Sequence, residues 1–88
     1  MYLHIGGDTS IRTDEIIGIF DLDSSTVSRR TRDFLSRCEK EGKVINVSYD
    51  LPKSFIICRE NEDNKIYICQ LSPATLIKRS ENKAYSGD

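Results

Sequence analysis

The residues with the clearest chemical use in this chain of 88 amino acids are basic side chains, most of them near its middle. Guanidinium and ammonium groups neutralise phosphates and release the counterions bound to them, so a cluster of these groups indicates phosphate or nucleic-acid binding. The alternative is a solvated outer helix face, which soluble helices normally show. The candidate contacts are Lys53, Arg12, Arg29, Arg30, Arg32 and Arg37, with Lys40, Lys43, Lys78 and Arg79 as further cations.

The distribution of charge supports this interpretation better than the total does. The formal net charge of -1 and the pI near 5.8 do not by themselves indicate nucleic-acid binding. Residues 1–28, however, contain one basic and five acidic side chains, whereas residues 29–43 contain six basic and three acidic ones, a change from -4 to +3. The surplus positive charge therefore lies on a single stretch of the chain.

No group of residues predicts catalysis. His4 is the single histidine, and it lies in a predicted strand without a nearby serine or cysteine to activate. Gly6-Gly7 lacks the further glycine and the following helix of a dinucleotide-binding loop. The acidic pairs Asp14-Glu15 and Asp21/Asp23 are more simply helix caps. We expect no enzyme, no cofactor and no small-molecule substrate.

The cysteines and the chain start favour a cytoplasmic protein. Three cysteines without a closely spaced pair, Cys38, Cys58 and Cys69, fit neither a secreted disulfide framework nor a zinc ribbon. We interpret them as small buried apolar residues and predict no metal site. Residues 1–8 lack the pattern of a signal peptide, and no apolar run approaches a membrane span.

The elements that would position the basic residues are organised around a hairpin. Phe55–Cys58 and Ile66–Leu71 read as two strands joined by a polar turn around residues 62–64. A turn centred between Asp63 and Asn64 would place Cys58 opposite Cys69 and Ile57 opposite Gln70. A disulfide between Cys58 and Cys69 is compatible with that register, although a reducing cytosol disfavours it.

Both faces of this hairpin are apolar, without the alternation expected of a strand with one wet face. A chain of this length hides only about two-thirds of its unfolded surface. We therefore expect one apolar layer to lie under a helix of the same chain and the other to need a second subunit. Ile57 and Ile68 are the predicted interface residues.

The remaining elements follow from turn and cap signals. The long helix should begin among residues 21–25 and end near Glu41, with Gly42 in the left-handed position after it. Its buried face should contain Val27, Thr31, Phe34 and Cys38, widened by Leu35. The other predicted elements are strands over residues 2–5, 10–12 and 15–21, an extended segment 44–49, and a short helix from Pro73 to about Ser80.

Two further points complete the sequence prediction. A single helical turn over residues 13–15 is the alternative to a strand starting at Glu15. The whole pattern predicts an α+β fold: a small antiparallel sheet with one long helix and one short C-terminal helix. We expect one domain over residues 1–80, followed by a flexible tail over residues 81–88.

Five short motifs carry a family resemblance: Leu3-His4-Ile5-Gly6, Ile16-Ile17-Gly18-Ile19-Phe20, Pro52-Lys53-Ser54, Leu71-Ser72-Pro73, and Thr75-Leu76 with Lys78-Arg79. In these motifs the chain resembles the RemA/RemB family of bacterial extracellular-matrix (biofilm) regulators. The similarity spans residues 1 to about 80. The last three motifs are closer to the RemB branch than to the RemA branch.

This resemblance implies a compact subunit similar to the LytTR DNA-binding domain and assembled into a ring. For RemA-type members it implies transcriptional activation by DNA wrapped on the outer surface of the ring. We therefore expect a cytoplasmic, DNA-binding transcriptional regulator of matrix genes. Its expected partners are double-stranded DNA, through phosphate contacts with little base readout, and further copies of the same chain, and it is not expected to contact a membrane.

The chain departs from the RemA branch where that branch has arginines, in the strand after the first turn and in the loop before the central hairpin. The matching positions hold Glu15 and residues 50–53, of which only Lys53 is basic. Three interpretations remain open: weaker DNA binding, DNA contacts shifted to the helix arginines, or an oligomeric protein-interaction module without DNA binding.

Overall fold

The computed structural model describes residues 1–25, 28–48 and 50–81. These residues form an α+β fold, as predicted. Whether the fold is similar to the LytTR domain stays a prediction. The strands are β1 (Tyr2–Gly6), β2 (Thr9–Arg12), β3 (Ile16–Asp21), β4 (Val44–Asn46), β5 (Ser54–Glu60) and β6 (Asp63–Cys69), and the helices are α1 (Leu22–Ser25), α2 (Arg29–Lys40) and α3 (Pro73–Glu81).

The main sheet has four strands in the order β3-β5-β6-β4. Strand β5 runs antiparallel to both of its neighbours, and β4 runs parallel to β6. Strands β1 and β2 form a separate antiparallel hairpin. The sheet is thus antiparallel, as expected, except for its last strand.

The central hairpin exists, but the predicted register is wrong. Its turn lies at Asn61 and Glu62, which both have positive φ, 50° and 69°. A two-residue turn with positive φ at both residues has a backbone twist that matches the twist of the flanking strands. The position of this turn determines which residues of the two strands pair. Cys58 therefore lies opposite Lys65, and Ile57 lies opposite Ile66.

This register also excludes the disulfide. Cys69 pairs with Ser54 and Cys58 with Lys65, so the two cysteines are four positions apart along the ladder, or about 13 Å. Cys38, Cys58 and Cys69 are free and buried, as predicted. The predicted and observed registers differ by four residues, and an even shift leaves each side chain on its predicted face.

One face of the main sheet is covered by the β1–β2 hairpin and by α3. Leu3, Ile5 and Ile11 of the hairpin and Leu76 of α3 are almost fully buried there. Arg79 of α3 donates from Nη1 to the carbonyl oxygen of His4 at 3.3 Å, which ties the two covering elements together. The sheet contributes Ile56, Cys58, Tyr67 and Cys69 to this core.

The other face is covered by α2. Phe34, Leu35 and Cys38 of the helix pack on Phe55 and Ile66 of the sheet, which are 2% and 0% exposed. Both faces of the hairpin are thus covered within one chain. This corrects the expectation that one apolar layer needs a second subunit. The β1–β2 hairpin folds back over that face of the sheet, and the sequence pattern did not predict this packing.

The predicted long helix is divided. The short α1 precedes it, and Ser28, with extended backbone angles, is the N-cap residue of α2. At the other end Gly42 has φ +73°, which confirms the predicted left-handed position after the helix. Val27, which was predicted to lie on the buried face of the helix, lies outside the described residues.

The remaining predictions are largely confirmed. Residues 13–15 form a 3-10 turn and β3 follows directly, so the two alternatives for this stretch are both present. Ser72 caps α3 by accepting a hydrogen bond from the Thr75 amide at 3.2 Å, and α3 ends one residue later than expected. The extended segment 44–49 contains the shorter β4. The predicted tail lies outside the described residues beyond Glu81.

Candidate nucleic-acid interface

Four cations form a continuous strip along the outer side of α2. At 100° per residue, Arg29, Lys40, Arg37 and Arg30 fall within an arc of about 100°, and all four are exposed. The strip is about 16 Å long at a rise of 1.5 Å per residue. Within α2 the only acidic residue in the same arc is Asp33. We call these four residues the cationic strip.

The orientation of the strip follows from the core. The half-buried and buried side chains of α2 point in the opposite direction, because Phe34, Leu35 and Cys38 pack on the sheet. Burial of these apolar groups fixes the rotation of the helix about its axis, so the strip must face outward. Arg32, which was predicted with the others, lies on the other flank of α2, near Glu39.

The ion pair within the strip does not neutralise it. Arg29 Nε lies 3.9 Å from Asp33 Oδ2, and the two side chains are 88% and 74% exposed. Exposed pairs at this separation contribute little because water screens them. The strip therefore keeps most of its positive charge available to a ligand.

Arg12 lies far from the strip in the fold. It is on β2, in the hairpin that covers one face of the sheet, whereas α2 covers the other. Its guanidinium is engaged by Asp14, with Nε 3.3 Å from Oδ1 and Nη2 3.1 Å from Oδ2. This hydrogen-bonded contact and the charges of Asp14 and Glu15 raise the pKa of Arg12.

Lys53 lies in a loop whose backbone is held from two sides. Its amide donates to the carbonyl oxygen of Cys69 at 2.9 Å, and its own carbonyl oxygen accepts from the Leu22 amide at 3.0 Å. The side chain of Lys53 is exposed, and so is that of Leu51, at 79%. The loop therefore presents one cation and one large apolar group from a fixed backbone.

An apolar groove beside the strip was not predicted. It has a volume of about 360 Å³ between α2 and strands β3 and β5. The stacked rings of Phe20 and Phe55 form part of it. The sequence did contain one signal, the glycine at position 18, because a glycine within a strand often marks a bulge or a close approach of another group. Phe20 packs over Gly18. The lining residues are Phe20, Ser28, Arg30, Thr31, Phe34, Phe55 and Ile57.

The predicted interface residues Ile57 and Ile68 are only partly exposed. Both pack against the core beneath α2, and Ile57 lines the groove. Ile57 therefore has one side available to a partner at the groove. Their role in assembly stays a prediction.

Two carboxylates, those of Glu60 and Glu15, act on Tyr67 and Cys58 at one end of the sheet. Tyr67 donates its hydroxyl to Glu60 Oε2 at 2.8 Å, and burial together with this bond raises the pKa of Tyr67. Burial, followed by the charges of Glu60 and Glu15, raises the pKa of the Cys58 thiol to about 11. Glu15 thus adds negative charge to this end of the sheet, which is unfavourable for a phosphate.

In the described part of the chain, no group of three or more His, Cys, Asp or Glu side chains is arranged to hold a metal ion. Within the same residues, no helix has the length and apolar character needed to cross a membrane.

Comparison with known proteins gives a consistent answer. Residues 2–79 match the family model described as RemA-like, "Extracellular matrix regulatory protein A-like". The chain is also 35% identical over 81 residues to "Extracellular matrix regulatory protein B" of Bacillus subtilis (strain 168). That alignment covers 92% of this chain and 91% of the relative. The chain therefore belongs to the RemA-like family of extracellular matrix regulatory proteins.

Proposed function

We propose that this regulator binds double-stranded DNA through phosphate contacts and acts as a ring-shaped homo-oligomer that controls transcription of matrix genes in the cytoplasm. The observation that carries the proposal is the cationic strip, in which four exposed basic side chains share one arc of α2 with a single acidic residue of that helix, Asp33. No catalytic step forms part of this function.

The strip is suited to phosphates rather than to base edges. Its side chains are long, exposed and distributed along about 16 Å of helix, so they can follow a DNA backbone without a fixed geometry. Each phosphate neutralised releases counterions, which gives an affinity that falls steeply with salt. Base readout is correspondingly slight.

Assembly would strengthen a contact that is weak in one subunit. One subunit carries four cations in its strip, but its formal net charge is -1. A single copy therefore attracts DNA only modestly. In a ring, the strip is repeated in every subunit. Once one strip has bound DNA, the remaining strips meet the same DNA at a high effective concentration, which strengthens binding. The DNA would then follow the outer surface of the ring.

A second candidate function is an oligomeric protein-interaction module without DNA binding. The observation that favours it is Leu51, which is 79% exposed in the loop where RemA-type members carry arginine. Arg12 is also engaged by Asp14, and Glu15 carries the opposite charge. A lone exposed leucine is common on protein surfaces, so what favours this candidate is the replacement of a cation by an apolar side chain that cannot bind a phosphate.

A salt titration of DNA binding tests the proposal. Fluorescence anisotropy with a labelled duplex would be measured between about 50 and 200 mM salt, where phosphate contacts lose most of their affinity. The paired change Arg30→Ala and Arg37→Ala should weaken binding and make the slope of log affinity against log salt shallower by about 2.

Arg59→Ala is the matched control, since Arg59 is exposed on β5 and outside the strip. It should leave the affinity and the slope unchanged. Absence of binding at low salt, or an affinity indifferent to salt, would exclude the DNA function and favour the protein-interaction module.

A further inference from the structure

Both outer edges of the main sheet are open within the described residues. The strand order places β3 at one end and β4 at the other. In β4, the carbonyl of Lys43 and the amide of Val47 bond to β6. Because backbone groups alternate along a strand, the amides and carbonyls of Val44 and Asn46 point away from β6, toward the outside of the sheet.

The edge at β3 is also apolar. Ile17 is 60% exposed at the bulge in this strand, and Phe20 is 38% exposed. Leu22 donates to Lys53 of the neighbouring loop, so by alternation the backbone groups of Ile19 point outward. Residues 16–21 contain neither lysine nor proline, which commonly protect strand edges from pairing. This edge is thus suited to accept another strand.

We infer that β3 of one copy pairs in parallel with β4 of the next copy, an inference that rests on the proposed ring. Strands β3 and β6 both run antiparallel to β5, and β4 runs parallel to β6, so β3 and β4 point in the same direction. A rotation about an axis along the strands preserves this direction. The contact joins two different surfaces, and repeated head-to-tail contacts of this kind form a ring when the rotation between copies closes.

Charge selects β4 over a second β3 as the occupant. Two β3 strands would pair antiparallel about a two-fold axis, which brings Glu15 of one copy beside Asp21 and Asp23 of the other, a repulsive arrangement. Parallel pairing instead places Asp14 and Glu15 beside the start of β4. Lys40, Glu41 and Lys43 precede that strand with a net charge of +1, and Lys43 already contacts Glu41 and Asp63. Asp14 likewise contacts Arg12, so parallel pairing is favoured because it avoids the repulsion of the antiparallel arrangement and not because it adds a strong attraction.

Two variants that each block one edge test this arrangement. Ile17→Lys places a charged side chain on the β3 edge, at a position that is already exposed. Asn46→Pro removes an outward amide from β4 and leaves the bonds to β6 in place. Native mass spectrometry should show the wild type as an oligomer and each variant as a monomer. An equimolar mixture should form a one-to-one dimer, because each variant keeps the edge that the other lacks.

Other outcomes overturn the inference in distinguishable ways. Dimers of Asn46→Pro alone would indicate a β3–β3 contact, and wild-type mass in either variant would place the contact elsewhere while leaving the ring intact. A monomeric wild type would exclude the ring itself. The proposed DNA binding would not be excluded by that result, because the anisotropy titration tests it independently. Tyr2→Lys is the matched control, since Tyr2 is 63% exposed on the β1–β2 hairpin, and it should keep the wild-type mass.

A measurement on the unmodified protein covers the case in which a variant fails to fold. Hydrogen exchange of the wild-type oligomer, compared with a diluted sample that dissociates, should show slower exchange of the outward amides of Ile19, Val44 and Asn46 in the oligomer. A protection factor rising at least tenfold on assembly supports the pairing. Equal exchange in both samples overturns it.

Discussion

The rings of Phe20 and Phe55 stack across β3 and β5 with their centroids 5.1 Å apart and their planes inclined by 19°. Gly18 makes this arrangement sterically possible, since a Cβ atom at Gly18 would lie 2.6 Å from Cε2 of Phe20. The stacked pair therefore depends on the absence of a side chain two residues earlier in the strand, and it forms part of the groove beside the cationic strip.

Gly18→Ala should displace the ring of Phe20 and destabilise the fold by about 1 kcal/mol, the usual contribution of an aromatic pair. Urea denaturation followed by circular dichroism measures this loss. Tyr2→Ala is the control and should have a small effect, because Tyr2 is 63% exposed and lies outside the proposed subunit contact. A Gly18→Ala variant more stable than the wild type would show that the displaced ring contributes less than the conformational gain of alanine over glycine.

Gly42→Ala should also cost about 1 kcal/mol, but for a conformational reason. Gly42 has φ +73° and an added Cβ would meet nothing within 4 Å, so only the backbone preference changes. Gly42→Asn should be less destabilising, since asparagine tolerates this region. The melting temperatures of the two variants make the comparison, and identical values would contradict the explanation.

Alkaline pH should destabilise the protein through Cys58. The folded state holds the thiol protonated to about pH 11, whereas the ordinary pKa is 9.0. Between these values the unfolded state loses a proton that the folded state keeps, so the free energy of unfolding falls as pH rises from about 9 to 11. The decrease should reach at most about 3 kcal/mol, in addition to a contribution from Tyr67.

Denaturation curves at several pH values measure this effect. Cys58→Ala removes the thiol and should make the decline with pH less steep, even though its stability at pH 7 is lower because a small cavity forms. A decline as steep as that of the wild type would show that Cys58 does not titrate in this range.

Lys53→Ala and Leu51→Ser separate the two candidate functions. If the loop contacts DNA phosphates, Lys53→Ala should reduce the affinity several-fold and the salt slope by about 1, while Leu51→Ser has no effect. If the loop binds a protein, Leu51→Ser should abolish regulation of matrix genes and Lys53→Ala should not. Anisotropy and a reporter assay for matrix-gene expression provide the two measurements.

Local signals determined much of this fold from the sequence. Ser72 and Pro73 predicted the start of α3, Gly42 predicted the end of α2, and the apolar runs predicted both strands of the hairpin. These features depend on residues close together in the chain, which is why the pattern was sufficient. The family resemblance was likewise confirmed by the match over residues 2–79.

The tertiary structure decided what local patterns leave open. Alternation along a strand determines which face each residue lies on, but it does not determine which residue of the next strand it pairs with. The register was set by the turn at Asn61 and Glu62, and not by a turn at Asp63 and Asn64. Lys43 holds Asp63 in β6 at 3.1 Å, a contact across twenty residues. The cover of the second face is equally non-local, because Leu3, Ile5 and Leu76 come from opposite ends of the chain.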